Sequence, residues 1–177
     1  MKLLKLKRCV VTFLLIIAAY LLQCTVFGKL EIAGIKPNLI LIVTAAVGFM
    51  RGPREGMAAG ILSGLLVDIQ FGGIIGFYAL IYLVIGYING LFQQLYYDED
   101  IKLPLLLITL SEFIYGLVIY FLMFLLRSDF DFPFYFNSII MPELIYTIVV
   151  TLILYPVILY VNQKLESEEK RSASKFV

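Results

Sequence analysis

Long apolar stretches, separated by short polar joints, constrain this chain more than any other feature. A helix that crosses a bilayer needs about 20 predominantly apolar residues. Six stretches approach or reach that length: Cys9–Phe27, Pro37–Met50, Glu55–Ile69, Ile74–Leu95, Leu103–Leu126 and Met141–Val161. They predict an all-α integral membrane protein, a bundle of six transmembrane helices over 1–161 with a short tail over 162–177. The second and third stretches are short enough to form either two crossings or a re-entrant hairpin. Composition agrees, since 62% of the 177 residues are apolar and 15% are charged. A soluble domain runs near 45–50% apolar and about 25% charged. A soluble enzyme, a nucleic-acid binder and a disordered chain are excluded on that ground.

The basic start at Lys2, Lys5, Lys7 and Arg8 resembles that of a signal peptide. The apolar run behind it exceeds a signal core of 7–15 residues, and no small-x-small site follows, so a retained helix is expected. Placing the N-terminus inside puts eleven of the fourteen Lys and Arg residues on the inner side. The positive-inside rule then predicts a multi-pass plasma-membrane protein with both termini cytoplasmic. Arg51 and Arg54 read as headgroup anchors of an inner turn. The segment Asp129–Asn137, DFDFPFYFN, reads as an outer loop, either an aromatic belt at the headgroups or an extracellular contact surface.

Small and polar residues are concentrated between Ile35 and Tyr78. Gly52, Gly56, Gly60 and Gly64 recur every four residues. Four residues advance a helix by about 400°, so these positions drift only about 40° per step. Such a face lets another backbone approach closely. It serves either this protein's own helices or the single helix of a partner, with Asp68 at its outer rim. Gly86 and Gly90 repeat the spacing. Pro37 suits a first helical turn, and Asn38 can satisfy the amides freed there.

Carboxylates at membrane depth are costly and suggest function. Glu143 follows Pro142 at a helix start, where an anion is favoured. Asp68 can cap, snorkel or act. Glu112 lies furthest from any helix end, and its expected partners are a proton, Ser111, Tyr115 or a neighbouring helix. The chain has no His and only two Cys, Cys9 and Cys24, so neither a metal nor a cofactor is expected. Fifteen residues of helix separate the cysteines by roughly 22 Å, too far for a disulfide. No Walker loop or nucleophile elbow is present, and the chain reads as non-enzymatic.

Several segments together resemble the MreD family of bacterial rod shape-determining membrane proteins. They are YLLQCTVFG (20–28), IKPNLILI (35–42), GFMRGPREGMAAGILSGLLVD (48–68), Tyr82–Phe92 and PELIYT (142–147). The matching positions include Gln23, Pro37, Asn38, Gly48, Arg51, Gly52, Gly56, Gly60, Gly64 and Asp68. The resemblance implies a non-enzymatic scaffold of the cell-elongation machinery. Its implied partners are a bitopic MreC-like protein and, indirectly, peptidoglycan synthases and MreB. It also implies a fold similar to the substrate-binding subunits of energy-coupling-factor transporters. A vitamin-type transport subunit is therefore the alternative function, with Asp68, Asn38, Tyr78 and Glu143 lining a pocket. An intramembrane enzyme built on Asp68 and Glu112 is a third.

Overall fold

The computed structural model describes residues 2–31, 34–71, 74–96, 101–127 and 131–174. Among these the chain is helical, with α1 (Lys2–Thr25), α2 (Leu39–Arg51), α3 (Pro53–Phe71), α4 (Phe77–Leu91), α5 (Lys102–Arg127), α6 (Phe132–Tyr135) and α7 (Met141–Ser174). A 3-10 turn, Phe92–Leu95, extends α4, and a π-helical turn, Phe136–Ile140, joins α6 to α7. Four helical segments are long and apolar enough to cross a membrane: Leu6–Thr25, Phe77–Leu95, Lys102–Leu122 and Phe132–Arg171.

The other two helices, α2 and α3, form the centre. Helix α2 has 13 residues, a length of about 20 Å, well short of the ~30 Å hydrocarbon layer. Leu39 through Met50 are all buried. It touches α1, α3, α4, α5 and α7. An all-apolar sequence of that length has no face to give to solvent or lipid, so the other helices wrap it. The α2–α3 turn is closed by Gly52, whose φ of 97° suits glycine, with its N–H on the Gly48 carbonyl at 2.8 Å.

The glycine face is filled from within the protein, and the expected partner helix on Gly56, Gly60 and Gly64 is corrected accordingly. Helix α4 occupies it. A Cβ placed on Gly60 would lie 2.6 Å from the Tyr82 carbonyl carbon, and one on Gly64 would lie 2.5 Å from Ala79 N. At Gly56 the obstacles are the Gly86 carbonyl and Gly48 Cα, the latter at 2.8 Å. Gly86 and Gly90 are the reciprocal positions on α4, packed on Gly56 and Pro53. Two glycine ridges laid together remove side chains from the contact, so backbone dispersion and Cα–H contacts replace them. Gly52, expected on the same interface, meets the Gln93 side chain of the turn after α4.

Two further expectations change. The tail after Val161 is helical through Ser174, and its first residue, Asn162, is buried. The aromatic stretch is not a loop over its described part. Asp131 caps α6 by accepting from Phe134 N, and the chain is helical onward. Tyr120 packs on Phe132 and Tyr135, and Phe113 packs on Phe136. These rings staple the α6 segment to α5.

Candidate functional site

Three polar clusters are held by this frame. At one end of the bundle lies an ion-pair network. Arg8 of α1 pairs with Glu55 of α3 and reaches Glu169 of α7 at 3.4 Å. Arg51 reaches Glu169 at 3.5 Å and the Asn162 carbonyl at 3.4 Å. Lys7 pairs with Glu168. The network explains why α7 runs on past Val161: its acidic turn is clamped by basic groups from α1 and α2. Arg51 is therefore more than a headgroup anchor, its side chain being only 9% exposed. Arg54 is exposed, as expected of an anchor.

These pairs differ in strength by burial. Replacing Glu169 by Gln leaves Arg8 and Arg51 short of a counter-charge, and a loss of about 1–3 kcal/mol is expected in thermal unfolding in detergent. Replacing Glu168 by Gln, on the exposed pair, should move the midpoint within error. Its hydrogen bond and attraction to Lys7 hold the Glu168 carboxyl below the usual carboxylate range. The folded value is the lower one, so its contribution is present above the unfolded value. It is lost only as pH falls through the depressed folded value.

At the opposite end Asp68 caps α4. Its Oδ2 accepts from Gly76 N at 2.9 Å and Ala79 N at 3.3 Å, and its Oδ1 accepts from Tyr78 N at 2.9 Å. The residue is 3% exposed. Of the three roles open to it from the sequence, the structure displays capping. The sequence favours this locally because Gly76, at φ 100°, turns the chain into α4 without a capping side chain of its own.

The third cluster lies around Asn38. Its Oδ1 accepts from Leu41 N at 3.2 Å, which caps α2, and from the Tyr82 hydroxyl at 2.9 Å. Its backbone N–H donates to Thr147 Oγ1 at 3.1 Å. One buried residue thus joins α2, α4 and α7, while Pro37 precedes it, buried and without an N–H to satisfy. Gln23 of α1 accepts from Ile40 N at 3.2 Å, a second cap on the same helix start. Glu112 is 3% exposed, and neither carboxyl oxygen has a hydrogen-bond partner. Ser111, one expected partner, instead accepts from Asn89 at 2.7 Å. The polar groups that act on Glu112 are Glu143 and the side chain of Asn38.

The Asp68 oxygens accept from the α4 amides, and Asn38 caps the α2 start. Among the described residues no group of three or more His, Cys, Asp or Glu is placed to hold a metal. Sequence reasoning missed the Arg8–Glu55–Glu169–Arg51 network and the Thr44–Ser63 hydrogen bond of 2.8 Å between α2 and α3. The charges of the network were visible in the sequence, but not that partners 47 and 161 positions apart would meet.

A family model described as rod shape-determining protein MreD matches residues 4–165. The chain belongs to the MreD family. The match begins within α1, covers α2 to α6 and ends within α7, just before the clamped Glu168 and Glu169, so nearly the whole frame is that of an MreD-family protein. Membership places it in the membrane and in rod-shape determination. No curated protein and no solved structure matches the chain.

Proposed function

We propose that this MreD-family protein is a non-enzymatic scaffold of the cell-elongation machinery. It positions an MreC-like bitopic protein and, through it, peptidoglycan synthases and MreB. The family match over residues 4–165 carries the reading. Two physical features support it. The strongest polar groups, Asp68, Asn38 and Arg51, are spent on holding the helices together. The apolar side chains left over point outward from α1, α5 and α7, as Phe13, Leu106 and Ile153 do. A bundle of this kind offers a partner mainly helix faces within the bilayer.

In this reading the ion-pair end faces the cytoplasm. Lys7, Arg8, Arg51 and the 162–171 turns share that end, in keeping with the excess of inner Lys and Arg. Both termini then lie inside, whether α2 and α3 make two crossings or a re-entrant hairpin. The partner helix meets an outward face and not the glycine ridge. The transport alternative is weaker, because two of the residues that would line its pocket, Asp68 and Asn38, are committed to backbone caps.

The test is depletion of the protein in a rod-shaped host, with affinity capture of the tagged chain. Rounding of the cells, rescue by the intact chain and co-purification of the MreC-like protein are expected. Cells that stay rod-shaped on depletion, with no such capture, would refute the proposal.

A further inference from the structure

We propose that the α3–α4 turn does not emerge into water. It stops at the hydrocarbon edge of the leaflet opposite the ion-pair end, with Ile69, Ile74 and Ile75 against lipid chains. These side chains are 73%, 75% and 80% exposed, the three most exposed large apolar groups among the described residues. No Asp, Glu, Lys or Arg occurs between Asp68 and Asp98. The α1–α2 connection at the same end differs, since it carries Lys29, Glu31 and Lys36. The proposal rests on membrane placement alone and not on the scaffold role.

The helices set the height. Near the ion-pair end α7 meets the turn after α4, where Asn162 Nδ2 donates to the Tyr96 hydroxyl at 3.5 Å. Met141, the first residue of α7, stands about 21 residues from Asn162, and Ile75, just before α4, stands about as far from Tyr96. Each distance is roughly 30 Å of helix, one hydrocarbon thickness. Met141 and Ile145 belong to the exposed apolar side of α7, in a segment apolar enough to cross a membrane. The first exposed residue within α4 is Leu80. An apolar side that ended there would fall roughly 7–8 Å short of the one on α7. Ile74 and Ile75 make up the difference.

A turn at that depth needs its amides bonded, because lipid offers no acceptor. Five successive residues meet this requirement. Gly76, Tyr78 and Ala79 donate to Asp68, Phe77 donates to the Ile74 carbonyl at 3.2 Å, and Leu80 donates to the Gly76 carbonyl at 3.0 Å. The first amides of a helix have no partner within the helix and otherwise turn to water. Gln70, an exposed polar side chain beside Ile69, accepts from Cys24 Sγ at 3.5 Å. Asp68 thus supplies in lipid what solvent supplies at an ordinary helix start.

The experiment uses the full chain with Cys9 and Cys24 replaced by serine and one new cysteine, purified into lipid nanodiscs. Ile75→Cys and Ile69→Cys are compared with Lys29→Cys, on the charged connection, and with Ile145→Cys, on the lipid side of α7. A charged maleimide should label both turn positions severalfold more slowly than Lys29→Cys, as it does Ile145→Cys. A fluorophore attached at either turn position should be quenched when the acyl chains carry bromine. Labelling as fast as at Lys29→Cys would overturn the proposal. So would slow labelling without quenching, since protein and not lipid would then cover the turn. Adding Asp68→Asn, which removes one acceptor, should speed the labelling of Ile75→Cys severalfold and leave Ile145→Cys unchanged. An unmoved rate at Ile75→Cys would overturn the role given to the cap.

Discussion

Replacing Gly60 by leucine should leave little folded protein. The position faces α4 so closely that even a methyl group would fall within 2.6–2.8 Å of the Tyr82 carbonyl carbon and Leu83 Cα. Those atoms are backbone, so no rotamer change can make room. Helix α4 would have to move away from α3 as a body, and the contacts at Gly56, Gly64 and Gly86 would be lost with it. Overpacking a core by a methylene or two costs about 1–3 kcal/mol where side chains can yield. Here they cannot, and a loss above about 4 kcal/mol is expected, large enough to exhaust a marginal fold. Gly60→Ala should cost less but still more than about 2 kcal/mol. The measurement is the yield of monodisperse protein in detergent and its melting temperature.

A control comes from Gly76, where a side chain meets open space and only the φ of 100° opposes it. Gly76→Ala should cost about 1–2 kcal/mol, the strain of a left-handed residue. If Gly60→Leu melted like the unmodified protein while losing a partner, the ridge would be an external docking face after all.

That comparison marks how far the sequence could be read. The four-residue glycine period was visible on α3, and the same spacing at Gly86 and Gly90 was visible on α4. The two ridges fit each other, but nothing in a linear period states which ridge will meet which. A partner helix and a second segment of the same chain leave the same signature. Helix α2 was harder for a different reason. A uniformly apolar run carries no periodicity, so its central place among five other helices could not be read from a pattern. It was visible only as a run too short to cross comfortably. Asn38 was legible as a cap because capping is local, reaching three residues to Leu41. Its bond to Tyr82, 44 positions away, was not. The extension of α7 failed for the same reason. Composition made 162–177 look like a solvated tail, while the basic groups that clamp it lie more than a hundred residues upstream.

Asp68→Ala is expected to have the second-largest effect, a destabilisation of about 3–5 kcal/mol. The carboxylate takes three backbone N–H groups at the start of α4. A hydrogen bond to a charged group contributes about 1.5–3 kcal/mol. Removing the acceptor also leaves three donors without this partner, the buried Ala79 N–H among them. The end of α4 adds a positive partial charge that favours an anion by up to ~2 kcal/mol in partly buried geometry. These contributions overlap, so they do not sum.

Asp68→Asn separates them. The amide keeps the shape and one acceptor oxygen but loses the charge and the second acceptor, so about half of the loss should return. The order of melting temperatures should be unmodified protein, then Asp68→Asn, then Asp68→Ala. The α3–α4 glycine contact lies immediately beyond this cap, at Gly64 against Ala79. Loosening the first turn of α4 should therefore also raise the rate at which a cysteine at Ala79 is labelled, without new labelling at the Arg51 end. Equal melting of Asp68→Ala and the unmodified chain would mean that the carboxylate is not needed to hold α4. Asp68 would then be free for the ligand or partner role from which the cap now withdraws it.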